Sequence, residues 1–228
     1  MLKPFGRGVT PELLRISFSS LNPEVSQALA ARFHETAAVE VLVGDLLELD
    51  CDALVSPANS FGDMSGGFDQ QIDLFYREEA QRATMGRIAE RFHGELPVGL
   101  ATILSMSSRR FPFLVVAPTM RVPSRVFGTI NAYLSMRAAL VAIRDHNASG
   151  LDRKIRSVAV PGLCTGVGGM PADEASMQMK AAYDMIELGG WKQIGHPIQA
   201  PFALEPRKAR RDGGSSNPDI GDSNRKPQ

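Results

Sequence analysis

The segment from Val39 to Asp69 reads VEVLVGDLLELDCDALVSPANSFGDMSGGFD, and the changes of character along it decide the fold. Val39 to Val43 is a short β-branched and apolar run, predicted as a strand, and Gly44-Asp45-Leu46 turns the chain at its end. Ala53 to Ser56 is a second such run, apolar at three successive positions, as expected of a strand covered on both faces. A glycine-rich loop, Pro57 to Phe68, then leads into a helix predicted from Asp69 to about Phe92, with an interruption near Met85-Gly86. Strand, glycine loop and helix in that order form the building unit of an α/β protein with parallel strands.

Working outward, the same alternation continues in both directions. Upstream, Leu14 to Phe18 reads as a strand, and Asn22-Pro23-Glu24 opens a helix to about Phe33. Asn caps, Pro fits the first helical position, and Glu favours the positive end of the helix. Downstream, Ala101 to Ser105 and Phe113 to Ala117 read as strands, and Val126 to His146 repeats apolar residues at three- and four-residue steps as an amphipathic helix. Ile155 to Val160 is the last strand. A final helix runs from Asp173 to Leu188, with Pro171 near its start and Gly189-Gly190 as its stop. The expectation is six strands and four main helices.

With 228 residues, the chain suits one domain with appendages better than two domains. The body is placed at 1–204, with a motif-bearing part at 39–188 and a strand–helix extension at 1–38. From Glu205 to Gln228 only Ala209 and Ile220 are apolar, so this stretch is expected to be a disordered tail. Its cluster Arg207-Lys208-Ala209-Arg210-Arg211 reads as a solvated run or as a contact for RNA or an acidic partner.

Lys and Arg number 25 against 25 Asp and Glu, so bulk charge draws the protein neither to nucleic acid nor to a membrane. The most apolar stretches, Phe113 to Ala117 and Ala138 to Ile143, are far shorter than the roughly 20 residues that cross a bilayer. Cys51 and Cys164 stand too far apart for a paired metal motif. His34, His93, His146 and His196 share no ligand spacing, so neither a metal nor a cofactor is expected. The start of the sequence lacks an apolar signal core, and with only two cysteines the expectation is a cytoplasmic protein of unstated oligomeric state.

A second glycine-rich loop, Val160-Pro161-Gly162-Leu163-Cys164-Thr165-Gly166-Val167-Gly168-Gly169-Met170-Pro171, repeats the design of the first at another strand-to-helix junction. Such loops bring backbone N–H groups and a helix N-terminus close to an anion. Two of them at one sheet edge could grip a diphosphate, although either could also be a tight turn. Known phosphate motifs fail here. No Gly-Lys-Ser/Thr follows Gly67, and Gly166-Val167-Gly168 leads to Pro171 where a dinucleotide fingerprint needs glycine. Met170 stands where a phosphatase loop built on Cys164 would need Arg, which leaves Cys164 as a loop-packing residue.

Taken together, Gly44-Asp45-Leu46, Asp52 to Asn59, Gly66-Gly67-Phe68-Asp69 and the 160–169 loop resemble the macro domain family in order and spacing. That resemblance implies a three-layer α/β/α fold with a mixed six- or seven-stranded sheet and an ADP-ribose cleft above the strand ends. It implies that Asp45 accepts a hydrogen bond from the adenine amino group, that Asn59 contacts the distal ribose, and that Asp69 is the catalytic or water-orienting carboxylate. Leu46, Ala58, Gly66, Gly67, Phe68, Cys164, Thr165, Gly166, Val167 and Gly168 would line the ligand. Helix capping is the alternative reading of both Asp45 and Asp69.

Two departures from the family pattern stand near the reacting carbon. Met64-Ser65-Gly66-Gly67 replaces a longer glycine run and Phe68 a small aliphatic residue, while Gly168 takes the place of an aromatic in the second loop. The expected function is hydrolysis of ADP-ribose from modified protein or a small derivative. A non-catalytic ADP-ribose reader and an ADP-ribose 1″-phosphate phosphatase are the alternatives. Thr119-Met120-Arg121-Val122-Pro123 could line the cleft, with Arg121 facing a phosphate or standing at the surface.

Overall fold

The computed structural model describes residues 13–151 and 153–195. The expectations for the tail at 205–228 and for His196 lie outside the described residues. Among the described residues six strands occur in chain order: β1 (Arg15–Ser20), β2 (Val39–Val43), β3 (Ala53–Ser56), β4 (Thr102–Ser105), β5 (Phe113–Val116) and β6 (Ser157–Val160). Five α-helices accompany them among these residues: α1 (Pro23–Phe33), α2 (Gly67–Phe75), α3 (Glu79–Phe92), α4 (Asn131–Ala148) and α5 (Ala172–Ile186).

The strands form one mixed sheet of order β2-β1-β6-β3-β5-β4. All neighbours are parallel except β4, which runs antiparallel to β5 at the edge. The strand ahead of Val39 is thus built into the sheet, since β1 lies between β2 and β6, and α1 packs on it beside α5.

Strand parity divides the core into two layers of packing. Ile16, Phe18, Ala53, Val55, Val115, Val158 and Val160 face a cluster completed by α1, α4 and α5. Leu54, Leu114, Val116 and Ala159, one position out of phase, face a second cluster made with α2 and α3. Successive side chains of a strand point to opposite faces, so a sheet covered on both sides needs apolar residues at both parities. The result is the α/β/α sandwich that the family resemblance implies.

Two helices differ from expectation. The stretch after the first glycine loop is two helices, and its break falls at Tyr76 to Glu78 instead of Met85-Gly86. Arg77 and Glu78 take left-handed φ values of 55° and 62°. Asp73 secures the joint, its carbonyl accepting from Glu78 N at 2.8 Å and its side chain from Gln81 N at 2.8 Å. Gly86 lies inside α3, where glycine lowers helix stability without stopping it.

The helix predicted from Val126 begins at Asn131. Val126 is instead tied to the second glycine loop by a hydrogen bond from its N–H to the Gly168 carbonyl at 2.8 Å. Periodicity alone carries no trace of such a long-range bond.

Candidate functional site

The C-terminal ends of β1, β2, β3 and β6 open on a crevice of about 520 Å³. Open α/β sheets bind ligands at this edge because the strand-to-helix connections gather there. The residues that the family resemblance assigns to the ligand all line it: Asp45, Leu46, Ala58, Asn59, Gly66, Gly67, Phe68, Asp69, Cys164, Thr165, Gly166, Val167 and Gly168. Thr119, Met120 and Pro123 also line it, but Arg121 does not. The Arg121 guanidinium forks onto Glu95, with Nε to Oε1 at 2.7 Å and Nη2 to Oε2 at 2.9 Å, and lies over the Phe61 ring.

Sequence reasoning missed the β1–α1 junction. Ser19, Ser20, Leu21 and Asn22 line the crevice beside Asp45, and Leu21 is 77% exposed there. The Asn22-Pro23 cap was visible as a helix start. Its place at the same sheet edge as the glycine loops depended on β1 pairing with β2 and β6, which the sequence does not state. Asp63, Ser65 and Gln71 also line the wall formed by the first loop and α2.

The first loop is held in shape by its own polar groups. Asn59 is buried, and its Oδ1 accepts from Phe61 N at 3.0 Å and Asp63 N at 3.3 Å. Its Nδ2 donates to the Asp63 carbonyl at 2.8 Å. An amide nitrogen carries two hydrogens, so one donor remains for the crevice. Met64 N donates to Gln81 Oε1 at 2.8 Å, anchoring the loop to α3.

Gly66 is the N-cap of α2 and offers no side-chain cap. Asp69 therefore is not the capping residue, and stands in the first turn. The N–H groups of Gly67, Phe68 and Asp69 have no intrahelical acceptor, by the geometry of every helix start.

Asp69 is half-buried. The Ser56 hydroxyl donates to its Oδ1 at 2.6 Å. Burial pushes the Asp69 carboxyl up to about 6, against the pull of the Ser56 and Ala58 hydrogen bonds, and the Asp63 charge raises it further. Ala58, whose N–H supplies one of those bonds, has a φ of 24°. Backbone so far from the allowed regions persists where surrounding structure holds it.

Asp45 does cap, because its Oδ1 accepts from Leu47 N at 2.9 Å and starts the 3-10 turn Leu46–Glu48. A carboxylate has two oxygens, so this bond still leaves an acceptor exposed to the crevice.

The second loop is closed by Thr165 Oγ1 donating to the Gly162 carbonyl at 2.8 Å and by Met170 N donating to the Cys164 carbonyl at 3.0 Å. Cys164 is buried in the core with a φ of 67°. Burial pushes its thiol up to about 12, with Glu174 adding to the effect. The thiolate is the reactive form, so burial and a raised thiol fit Cys164 as a residue that packs the loop. Val167 reaches toward the first loop, so that a β-carbon at Gly67 would lie 3.6 Å from its Cγ2. The two glycine loops thus stand face to face.

Three aspartates line the crevice and no Lys, Arg or His does, among the described residues. Donors to an anion here are therefore backbone N–H groups, helix ends and neutral side chains such as Ser65 and Thr165.

The sequence profile described as Macro domain matches residues 55–179, more than half of the chain. The chain belongs to the macro domain family. An uncharacterized protein of Aquifex aeolicus is 32% identical over 141 residues, covering 62% of this macro domain chain and 78% of the relative. Among solved structures, the macrodomain of Mycobacterium tuberculosis DarG shares the fold with a TM-score of 0.52 and 24% identity, over 63% of this chain and 88% of that one. Thermosipho africanus DarTG in complex with ADP-ribose matches with a TM-score of 0.52 and 16% identity, over 63% of this macro domain chain and 38% of its own.

Proposed function

We propose that this macro domain binds ADP-ribose and hydrolyses its bond to a modified protein or to a small ADP-ribose derivative. The observation that carries the reading is the Asp69 carboxyl. It sits in the first turn of α2 on the crevice wall, fixed by Ser56, with its proton affinity raised to about 6. A carboxylate titrating close to neutral pH suits general base work better than an exposed one.

In the proposed pose the adenine lies toward Asp45 and the β1–α1 junction. The diphosphate passes between the glycine loops, and the distal ribose reaches Asn59 and Asp69. The remaining Asn59 N–H holds a ribose hydroxyl, which fixes the anomeric carbon for attack. Ionised Asp69 orients a water, and a bond forms from the water oxygen to the anomeric carbon as the bond to the leaving group breaks. The leaving group keeps that bond's electron pair. The water proton passes to Asp69 and from there to the leaving group.

The glycine-loop N–H groups contact the diphosphate equally before and during this step. They supply affinity and leave the rate to Asp69, Asn59 and the substrate. The 1″-phosphate phosphatase reading would set a phosphate dianion beside the lining carboxylates of Asp63 and Asp69, a like-charge contact that the hydrolase reading does not need. The heavy engagement of Asn59 within its own loop favours a reader without turnover as the second reading.

One comparison separates these. ADP-ribose binding is measured by calorimetry, and release of ADP-ribose from ADP-ribosylated protein is followed for the wild type and Asp69→Ala. Release that disappears in Asp69→Ala while ADP-ribose still binds is the expected result. Binding with no release from any substrate by the wild type would make the protein a reader.

A further inference from the structure

We propose that Ser56 is a positioning residue of the reaction, its hydroxyl clamping Asp69 Oδ1 so that Oδ2 is the oxygen that takes and returns the water proton. This inference rests on the hydrolase reading above. Ser56 is the last residue of β3 and is 0% exposed, so its hydroxyl cannot turn to solvent for a partner. Its Oγ lies 2.6 Å from Asp69 Oδ1, the distance of a charge-assisted O–H···O⁻ bond.

The platform beneath this contact is rigid. Ser56 pairs with Val116 in the parallel ladder, and its carbonyl accepts from Ala117 N at 3.1 Å. Asp69, by contrast, sits one turn into a helix whose glycine start offers no side chain to steady it. A carboxylate on such a helix could swing about its side-chain torsions, and the buried hydroxyl is the side chain bonded to it from the sheet.

The clamp also selects the protonation site. An oxygen already accepting a short hydrogen bond from a buried donor is the poorer place for a second proton, so protonation falls on Oδ2. The Ala58 N–H is a second donor to the Asp69 carboxyl. Asp63, on the loop ahead of α2, is the charged group that acts on Asp69. Neither β3 nor α3, the elements packed against α2, contributes a charged side chain to the crevice wall. The β1–α1 junction, the 119–123 segment and the second glycine loop contribute none either, and Asp45 is the remaining lining carboxylate.

The full chain tests this through the Asp69 carboxyl carbon, followed by NMR against pH and assigned by its loss in Asp69→Asn. In Ser56→Ala the midpoint is expected to rise by about one pH unit, because a donor to the charged form has been removed. The acid limb of the kcat/KM profile should move with it. Ser56→Thr, which keeps the hydroxyl, should return both toward the wild type.

An unchanged Asp69 midpoint in a folded, ADP-ribose-binding Ser56→Ala would overturn the proposal. A structural role alone predicts lost stability without a moved midpoint. If the midpoint moves but the wild type turns over no ADP-ribosylated substrate, the hydrolase reading fails and the Ser56 clamp on Asp69 stands.

Discussion

Gly168 approaches the Cys164 carbonyl so closely that a β-carbon at 168 would stand 2.5 Å from that oxygen and 2.8 Å from Val126 Cγ2. The missing aromatic of the second loop is therefore a matter of space. Here the loop folds against its own backbone, and its carbonyl at 168 receives the Val126 N–H.

Placing a side chain at this point must move the loop. Gly168→Ala should lower stability by about 1–3 kcal/mol, the range of an overpacked site, read by urea unfolding. Gly168→Tyr should lose more and should weaken ADP-ribose in calorimetry, because the N–H groups proposed to face the diphosphate move with the loop. A Gly168→Tyr protein of wild-type stability would show that the loop opens freely and that the close packing does not constrain it.

Asp45 has two tasks, which substitution can separate. Its Oδ1 caps the turn at Leu47, and its charge is proposed to meet the adenine amino group. Asp45→Asn keeps a capping oxygen and removes the charge, so its stability should stay near the wild type. Asp45→Ala should lose about 0.5–2 kcal/mol of stability, as a lost cap does. Affinity should fall in both, with Asp45→Ala losing about 1.5–3 kcal/mol, the worth of a hydrogen bond to a charged group. Equal ADP-ribose affinity in all three proteins would remove Asp45 from the adenine site.

The parts of this architecture that depend on local chemistry were legible. β3 was bounded at Ala53 and Ser56 because a buried parallel strand needs an unbroken apolar run, and α1 was announced by Asn22-Pro23. The glycine loops stood out by composition, and the residues named in them do surround one crevice. What the sequence hid was long-range. The α2–α3 joint depends on Asp73 reaching both Glu78 and Gln81, which outweighs the weaker break suggested by Gly86. The late start of α4 depends on Val126 meeting Gly168. Leu21 and Asn22 entered the crevice only once β1 had taken its place between β2 and β6. Ser56 likewise looked like the end of a strand, until the fold brought Asp69 above it.

Arg121 gives a test in the opposite direction. A lone arginine near an anion site invites assignment to a phosphate, but this one is forked onto Glu95 and stacked over Phe61 away from the lining. Arg121→Ala should leave the ADP-ribose dissociation constant within about twofold, as expected for loss of an exposed ion pair. A loss of tenfold or more in calorimetry would place Arg121 on the ligand.

Asp69 should also make stability depend on pH, with a sign opposite to that of most carboxylates. Its folded value is about 6 against 3.8 for an unperturbed group, so between these limits the folded protein holds more proton than the unfolded chain. Stability then falls as pH rises from about 4 to about 6, and the full cost, about 3 kcal/mol, is present above that window. Ionised Asp69 is the form proposed to orient water, so on that reading the same window turns activity on while stability declines, a stability–activity trade. Urea unfolding at pH 4.5 and pH 7.5 should show this fall in the wild type relative to Asp69→Asn, whose side chain does not titrate. Asp69→Asn should be the more stable protein at pH 7.5 and inactive at both. If the two proteins share one pH dependence, the Asp69 carboxyl is not desolvated in solution, and its suitability as a base loses its physical cause.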